Sequence, residues 1–351
     1  MTIILFYVSS LFLSILGCLW TNHWLILWFW IELQSLTLIP VLSSNVTPRS
    51  IESTNKYFLF QATGSALLLM GIVARAYTTN NFLIEGSYSI LELSILILAL
   101  TIKLGVFPIH FWFVDVMNGL NYWSGFFVAI LSKIIPLYVI MLLSSESSII
   151  LLNLVGVSSI LIGSIFGVHQ IQLRKLIALS SIAHIGWMIL VFSSTSNTWF
   201  GIFLFLSYIT MVLPLFWLGN KYNLEHLSKT NSIVNDASSS WILLLSLLSM
   251  AGFPPLLGFY YKWMILFNVT QTQSFFLIAI LIGSSLLSLF FYIQICLSFY
   301  MLYWPVSKLL STNFLYQSNN MWFISPIIII TNLSVCYLLW VLNPIISNWI
   351  F

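Results

Sequence analysis

Apolar runs of about twenty residues, separated by short polar or Pro/Gly-rich breaks, fill most of this chain. Runs of that length match the ~30 Å hydrocarbon core of a bilayer, crossed at about 1.5 Å per helical residue. Splitting the chain at the breaks predicts about eleven membrane helices. They lie at approximately 3–20, 24–42, 57–77, 90–109, 123–143, 149–168, 175–195, 199–219, 240–268, 274–303 and 322–346. The third, with Arg75 near its end, is the least regular. Connectors such as 43–56 and 220–237 are short and polar, so 1–351 reads as one membrane domain. The first run has no basic stretch before it and no small-residue cleavage site after it. It is therefore expected to be a retained membrane helix and not a signal or transit peptide.

Basic residues orient the predicted helices. Loops after the even-numbered spans carry Arg49, Lys56, Arg174, Lys175, Lys221, Lys229 and Lys308, against Arg75 alone on the other side. This asymmetry places the amino terminus inside (cytoplasm or matrix) and the carboxyl terminus outside.

Composition agrees with lipid as the solvent: 60% of the 351 residues are hydrophobic, too many for a soluble core, and only 5% are charged. A net charge of +3 offers nothing for nucleic acid to bind. Cys18, Cys296 and Cys336 are far apart and have no zinc-type spacing with histidine, so they read as small buried hydrophobes. No phosphate-binding loop, dinucleotide fingerprint, haem or iron–sulfur pattern occurs. The chain is not expected to hydrolyse ATP or to hold a redox centre, so any pumping must draw on a gradient or on a redox partner.

Four charges lie where few are tolerated. Glu32, Lys103, Lys133 and Lys262 each fall near the middle of an apolar run, where one ionised group costs about 3 kcal/mol on insertion scales. Such residues mark a pathway for ions or protons, or else pair with one another as packing contacts. Lys103 with Glu32 forms a candidate switchable pair, expected in direct or single-water contact, with Lys133 and Lys262 extending the line near mid-membrane. Pro136 follows Lys133 and loosens the helical hydrogen bonds around it.

Two spans carry breaks. In the fourth, Lys103 stands one turn before Gly105 and Pro108; in the ninth, Gly252, Pro254 and Pro255 stand one turn before Lys262. Backbone groups freed at a membrane break persist only where protein or water covers them. Breaks at matching places five spans apart suggest that spans 6–10 repeat spans 1–5, with two unrelated proline kinks as the alternative. The carbonyls at each break are expected to hydrogen-bond the neighbouring lysine or to hold the water that receives its proton.

Other polar residues are less specific. His184 follows Ser180 and Ser181 by one turn on the same helical face. It reads either as a relay point, since imidazole titrates near neutrality, or as a histidine hydrogen-bonded between helices. His110 is expected at the mouth of the path or capping backbone groups. Gln34, Gln61, Thr63, Ser132 and Gln294 line water or join helices. Gly163 and Gly167 suggest close helix packing, and the Asn45 glycosylation triplet falls on the predicted inner side.

Four stretches together resemble a known family. They are the run from Lys103 through Pro108 and His110 to Trp112, the run Leu131–Pro136 around Lys133, the run from Leu173 through His184 to Trp187, and the run from Gly252 through Gly258 and Lys262 to Trp263. In this order they resemble NADH dehydrogenase subunit 2, the antiporter-like mitochondrial membrane subunit of respiratory complex I, over nearly the whole chain.

The resemblance implies an all-α polytopic fold of two inverted five-helix repeats (about 1–145 and 146–305) and a final helix at about 322–346. The fourth and ninth spans are discontinuous, and an amino-terminal three-helix bundle present in bacterial relatives is missing. It makes Glu32 and Lys103 the family's glutamate–lysine pair, Lys133 the central relay lysine and Lys262 the lysine of the second broken helix. It further implies proton translocation in the mitochondrial inner membrane, among lipids and other complex I membrane subunits. NADH, flavin, iron–sulfur clusters and ubiquinone belong to those other subunits, and this chain binds no cofactor. A multisubunit cation/proton antiporter and a non-conducting structural subunit are the rival readings.

Overall fold

The computed structural model describes residues 2–303 except 45–46, 87, 145, 195–197, 226–236, 255 and 273–274. Lys229, Lys308, Asn45, Pro255, Cys336 and the span at 322–346 lie outside the described residues. Within them the chain is all-helical. Twelve α-helices run in order: α1 Thr2–Leu19, α2 Trp24–Leu42, α3 Pro48–Thr79, α4 Ile90–Leu104, α5 Phe111–Gly119 and α6 Tyr122–Leu142; then α7 Ile149–Val168, α8 Leu173–Ser194, α9 Thr198–Tyr222, α10 Ala237–Ala251, α11 Leu257–Thr272 and α12 Phe275–Tyr303. Seven of the described helices are long and apolar enough to cross a membrane. Helices dominate because a lipid-facing backbone must satisfy its own hydrogen bonds.

Two compact units form. Met1–Gly163 joins Ile177–Gly201 in the first, and Ser164–Leu176 joins the chain from Ile202 onward in the second. In the first, α3 packs on α2, α4 and α5, and α6 packs on α2 and α4. The connections after α1 and α3 meet: His23 bridges Leu83, the Ile84 amide donates to the Asn22 carbonyl, and the Trp24 amide to that of Phe82. The first turns of α3 meet α5, where Lys56 pairs with Glu52 at 2.8 Å and with Asp115 at 3.5 Å. In the second unit α10 packs against α11 and α12, and Arg174 lies 3.7 Å from Glu225.

Helix α3 begins at Pro48, nine residues ahead of the predicted 57. Thr47 and Ser50 form a reciprocal capping box, and Pro48 follows the cap at the first helical position. Residues read as a polar connector are thus the solvated first turns of a long helix. Arg75 is also not a loop charge. It is buried, donates to the Ile84 and Glu85 carbonyls and sits 3.8 Å above the Tyr88 ring. It ties down the turn after α3.

The predicted glycine pair divides its work. Gly163 packs against Leu179 and Ala183 of α8, whereas Gly167 faces Phe291 of α12. Close approach of α7 to α8 also depends on Gly156 and Gly186, which sit against each other's helices. Along α8, residues 176–193 are all buried, so this helix is enclosed by protein throughout that stretch.

Candidate functional site

Both predicted breaks are present. α4 ends at Leu104; Gly105 takes φ +67°, its amide returning to Ile102 and that of Val106 to Thr101. That left-handed closure is the C-terminal geometry glycine permits without strain. Residues 105–110 then run irregularly to α5, and His110 donates to the Pro108 carbonyl. In the second unit α10 ends at Ala251, Gly252 takes φ +83°, and the helix resumes at Leu257.

Lys262 stands five residues into the resumed helix. Side chains on an α-helix slant towards its N-terminus, so the Lys262 side chain runs back into the break. Its Nζ donates to the Ala251 carbonyl at 2.8 Å and to Ser288 Oγ at 2.9 Å. The ammonium thereby caps the negative end of α10, which suits a cation. The expected meeting of break carbonyl and lysine is realised here.

At the first break the same rule gives the opposite result. Lys103 precedes its break, so its side chain slants away from the carbonyls that the break frees. Its Nζ donates instead to the main-chain carbonyl of Gln61 on α3, at 3.4 Å. The expectation that the α4 carbonyls bind this ammonium is corrected accordingly. Glu32, on α2, lies within electrostatic range of both Lys103 and Tyr57. Yet Glu32 and Lys103 make no direct hydrogen bond or ion pair, and Glu32 Oε2 is buried without a hydrogen-bond partner. A shared α3 carbonyl, not the carboxylate, receives Lys103 in this arrangement.

Lys133, on α6, is 1% exposed. Its Nζ donates to Ser181 Oγ on α8 at 3.2 Å and lies 3.9 Å above the Phe113 ring of α5. Ser181 in turn donates to the Ala178 carbonyl, so its hydroxyl both accepts and donates. His184 is buried one turn further along α8. The first unit therefore brings Lys103, Lys133, Ser181 and His184 into one helical core, in which Phe113 sets its Cβ against Gly105 and its ring under Lys133.

Among the remaining polar candidates, Gln34 donates to the Leu131 carbonyl at 2.5 Å, joining α2 to α6. Ser132 turns back onto Val128. Thr63 and Gln294 face outward and do not line an interior path. His110 is buried at the start of α5, not open to a mouth. Sequence reasoning missed Ser288 and Phe113. Ser288 stands in an apolar run that holds several serines, and nothing in its spacing from Lys262 distinguishes it.

Three buried lysines, two at interrupted helices, inside an all-helical multi-pass membrane protein define a membrane protein of the broken-helix kind. The NADH:quinone oxidoreductase/Mrp antiporter transmembrane family matches residues 21–288. A curated relative, NADH-ubiquinone oxidoreductase chain 2 of Squalus acanthias, is 37% identical over 317 residues, covering 87% of this chain and 88% of its own. Among solved structures, a chain of respiratory complex I from Thermus thermophilus with bound aureothin superposes with TM-score 0.79 at 23% identity, over 85% of this chain and 71% of that one. A chain of the Mrp complex from Dietzia sp. DQ12-45-1b superposes with TM-score 0.74 at 18% identity, over 82% and 59%. The chain belongs to the NADH:quinone oxidoreductase/Mrp antiporter transmembrane family.

Proposed function

We propose that the chain is a proton-translocating, antiporter-like membrane subunit of a respiratory complex I, an NADH:ubiquinone oxidoreductase of the mitochondrial inner membrane. The observation that carries this reading is the set of three enclosed lysines, each held by one or two neutral oxygens or a ring rather than by a salt bridge. A lysine paired with a carboxylate is a structural contact; a lysine held by neutral oxygens can give up its proton without leaving a buried anion behind.

In this reading Glu32, Lys103, Lys133, His184 and Lys262 form the relay, lying near the mid-membrane plane. Ser181 holds the Lys133 ammonium one turn from His184, its hydroxyl accepting from Lys133 while it donates to the Ala178 carbonyl. Electrons move on other subunits, which carry NADH, flavin, iron–sulfur clusters and ubiquinone. The reading has about eleven spans in two inverted repeats, about 1–145 and about 146–305, and a final helix at about 322–346. The basic loops put the amino terminus in the matrix. Neighbouring complex I subunits and lipid cover the outward apolar faces.

A multisubunit cation/proton antiporter is the second reading, favoured by the family's breadth and by the likeness to the Mrp chain. Isolation of the chain from detergent-solubilised membranes tests the choice. Co-purification with NADH-oxidising activity, and proton pumping that persists when sodium is replaced by choline, supports the complex I subunit. Isolation apart from that activity, or pumping that requires sodium, contradicts it.

A further inference from the structure

Gln61 and Lys103 exchange two hydrogen bonds between α3 and the end of α4. The Gln61 amide Nε2 donates to the Lys103 carbonyl at 3.1 Å, and the Lys103 ammonium donates to the Gln61 main-chain carbonyl at 3.4 Å. Both residues are buried. The Lys103 carbonyl belongs to the last turn of an interrupted helix, whose carbonyls lack the next turn's amides. Turning amides at Gly105 and Val106 serve Ile102 and Thr101, and a side chain from another helix serves Lys103. One turn along α3, Gly64 leaves room for the lysine stem: a Cβ there would stand 2.9 Å from Lys103 Cγ. Gln61 and Gly64 thus form a seat, with a donor for the backbone, an acceptor for the ammonium and a gap for the methylenes between.

We propose that Gln61, with Gly64, is a positioning residue for proton transfer, seating the charged Lys103 on α3 and tying the break in α4 to the same turn. The proposal rests on the relay reading above. A protonated Lys103 is retained by the α3 carbonyl while Glu32, the charged group whose field reaches it, stays out of direct contact. When Lys103 gives up its proton the charge-assisted bond weakens, and the Gln61 amide alone holds the end of α4. The proton state of the lysine and the geometry of the break are therefore coupled through one glutamine.

The test uses the assembled complex in inner-membrane vesicles, with NADH-driven proton pumping followed across pH. Gln61→Met removes the amide donor at similar size, and Gly64→Ala pushes the lysine stem from the other side. Gly64→Ala, which displaces the stem that carries the ammonium to the Gln61 carbonyl, should move the pumping profile to lower pH by about one unit, a tenfold change in protonation equilibrium. Gln61→Met keeps that main-chain carbonyl and acts on the break. Hydrogen exchange across 101–110 should quicken about tenfold in Gln61→Met, while Thr63→Ala, on the outward face of the same helix, changes neither. A profile and exchange rate unmoved in assembled Gln61→Met and Gly64→Ala overturn the proposal; should Gln61→Met not assemble, Gly64→Ala decides. Lys103→Ala separates the levels: pumping retained there defeats the relay and the seat with it. Pumping lost there, with the Gly64→Ala profile and the Gln61→Met exchange unmoved, defeats the seat alone.

Discussion

Lys262 and Ala251 meet across the second helix break, the ammonium 2.8 Å from the last carbonyl of α10. Lys103 makes no such contact with its own break, although both lysines stand within two turns of one. The difference follows from side-chain slant. A lysine after a break reaches back into it, and a lysine before a break reaches away. Two sites alike in residue type therefore hold their ammonium groups differently, one on the break itself and one on a neighbouring helix.

Ser288 supplies the second oxygen to Lys262. Ser288→Ala leaves that ammonium with the Ala251 carbonyl alone, and a hydrogen bond to a charged group contributes about 1.5–3 kcal/mol. NADH-driven pumping in the assembled variant should slow about tenfold, with the complex present in normal amount. An unchanged pumping rate would show that Ser288 is a packing residue only.

Arginine is not a substitute for lysine in this setting. Lys103→Arg keeps the positive charge but does not release its proton in a protein. The variant should lose most proton pumping although it retains the charge, as measured by quench of a pH-sensitive dye in vesicles. Pumping near the parent rate would mean that the charge, and not the proton, is what the site requires.

The all-helical class and the two interruptions were legible because lipid leaves few alternatives. Where no water reaches the backbone, a long apolar run must be a helix, and Gly105 and Gly252 beside prolines must interrupt it. The start of α3 was less legible, since Arg49, Glu52 and Lys56 look like a connector until the Thr47–Ser50 cap is recognised. Residue type announced the lysines, but not their partners. Gln61, Ser181 and Ser288 come from helices distant in sequence, and a serine or glutamine inside an apolar run serves equally well as packing or as a ligand. Glu32 illustrates the limit: composition pairs it with Lys103, while packing hands the ammonium to a backbone carbonyl.

Lys133 is held by one hydroxyl and one ring. Ser181→Ala removes the hydroxyl and should slow pumping more than Phe113→Leu, which removes a cation–π contact of about 1–2 kcal/mol when desolvated. Parallel turnover measurements on the two assembled variants check the order. The reverse order would make the aromatic ring, not Ser181, the contact that holds Lys133 for transfer.

Gly105 is a conformational requirement of the first break. Its φ of +67° and the nearby Phe113 Cβ leave no room for a side chain. Gly105→Ala should destabilise the folded chain by roughly 1–2 kcal/mol from backbone strain, with a further loss from displacing Phe113. The amount of assembled complex after mild heating should fall clearly below that of Thr63→Ala. Equal resistance to heating would show that the left-handed turn is not needed.

The central claim is that the buried lysines carry protons, and Lys103→Ala and Lys262→Ala test it most directly. Each variant is assembled, its NADH oxidation is recorded, and protons moved per NADH oxidised are counted in sealed inner-membrane vesicles. A short apolar side chain packs in place but cannot bind a proton, so both variants should assemble and lose most proton movement. Normal pumping per NADH in either assembled variant would contradict the account and leave that lysine as a structural contact.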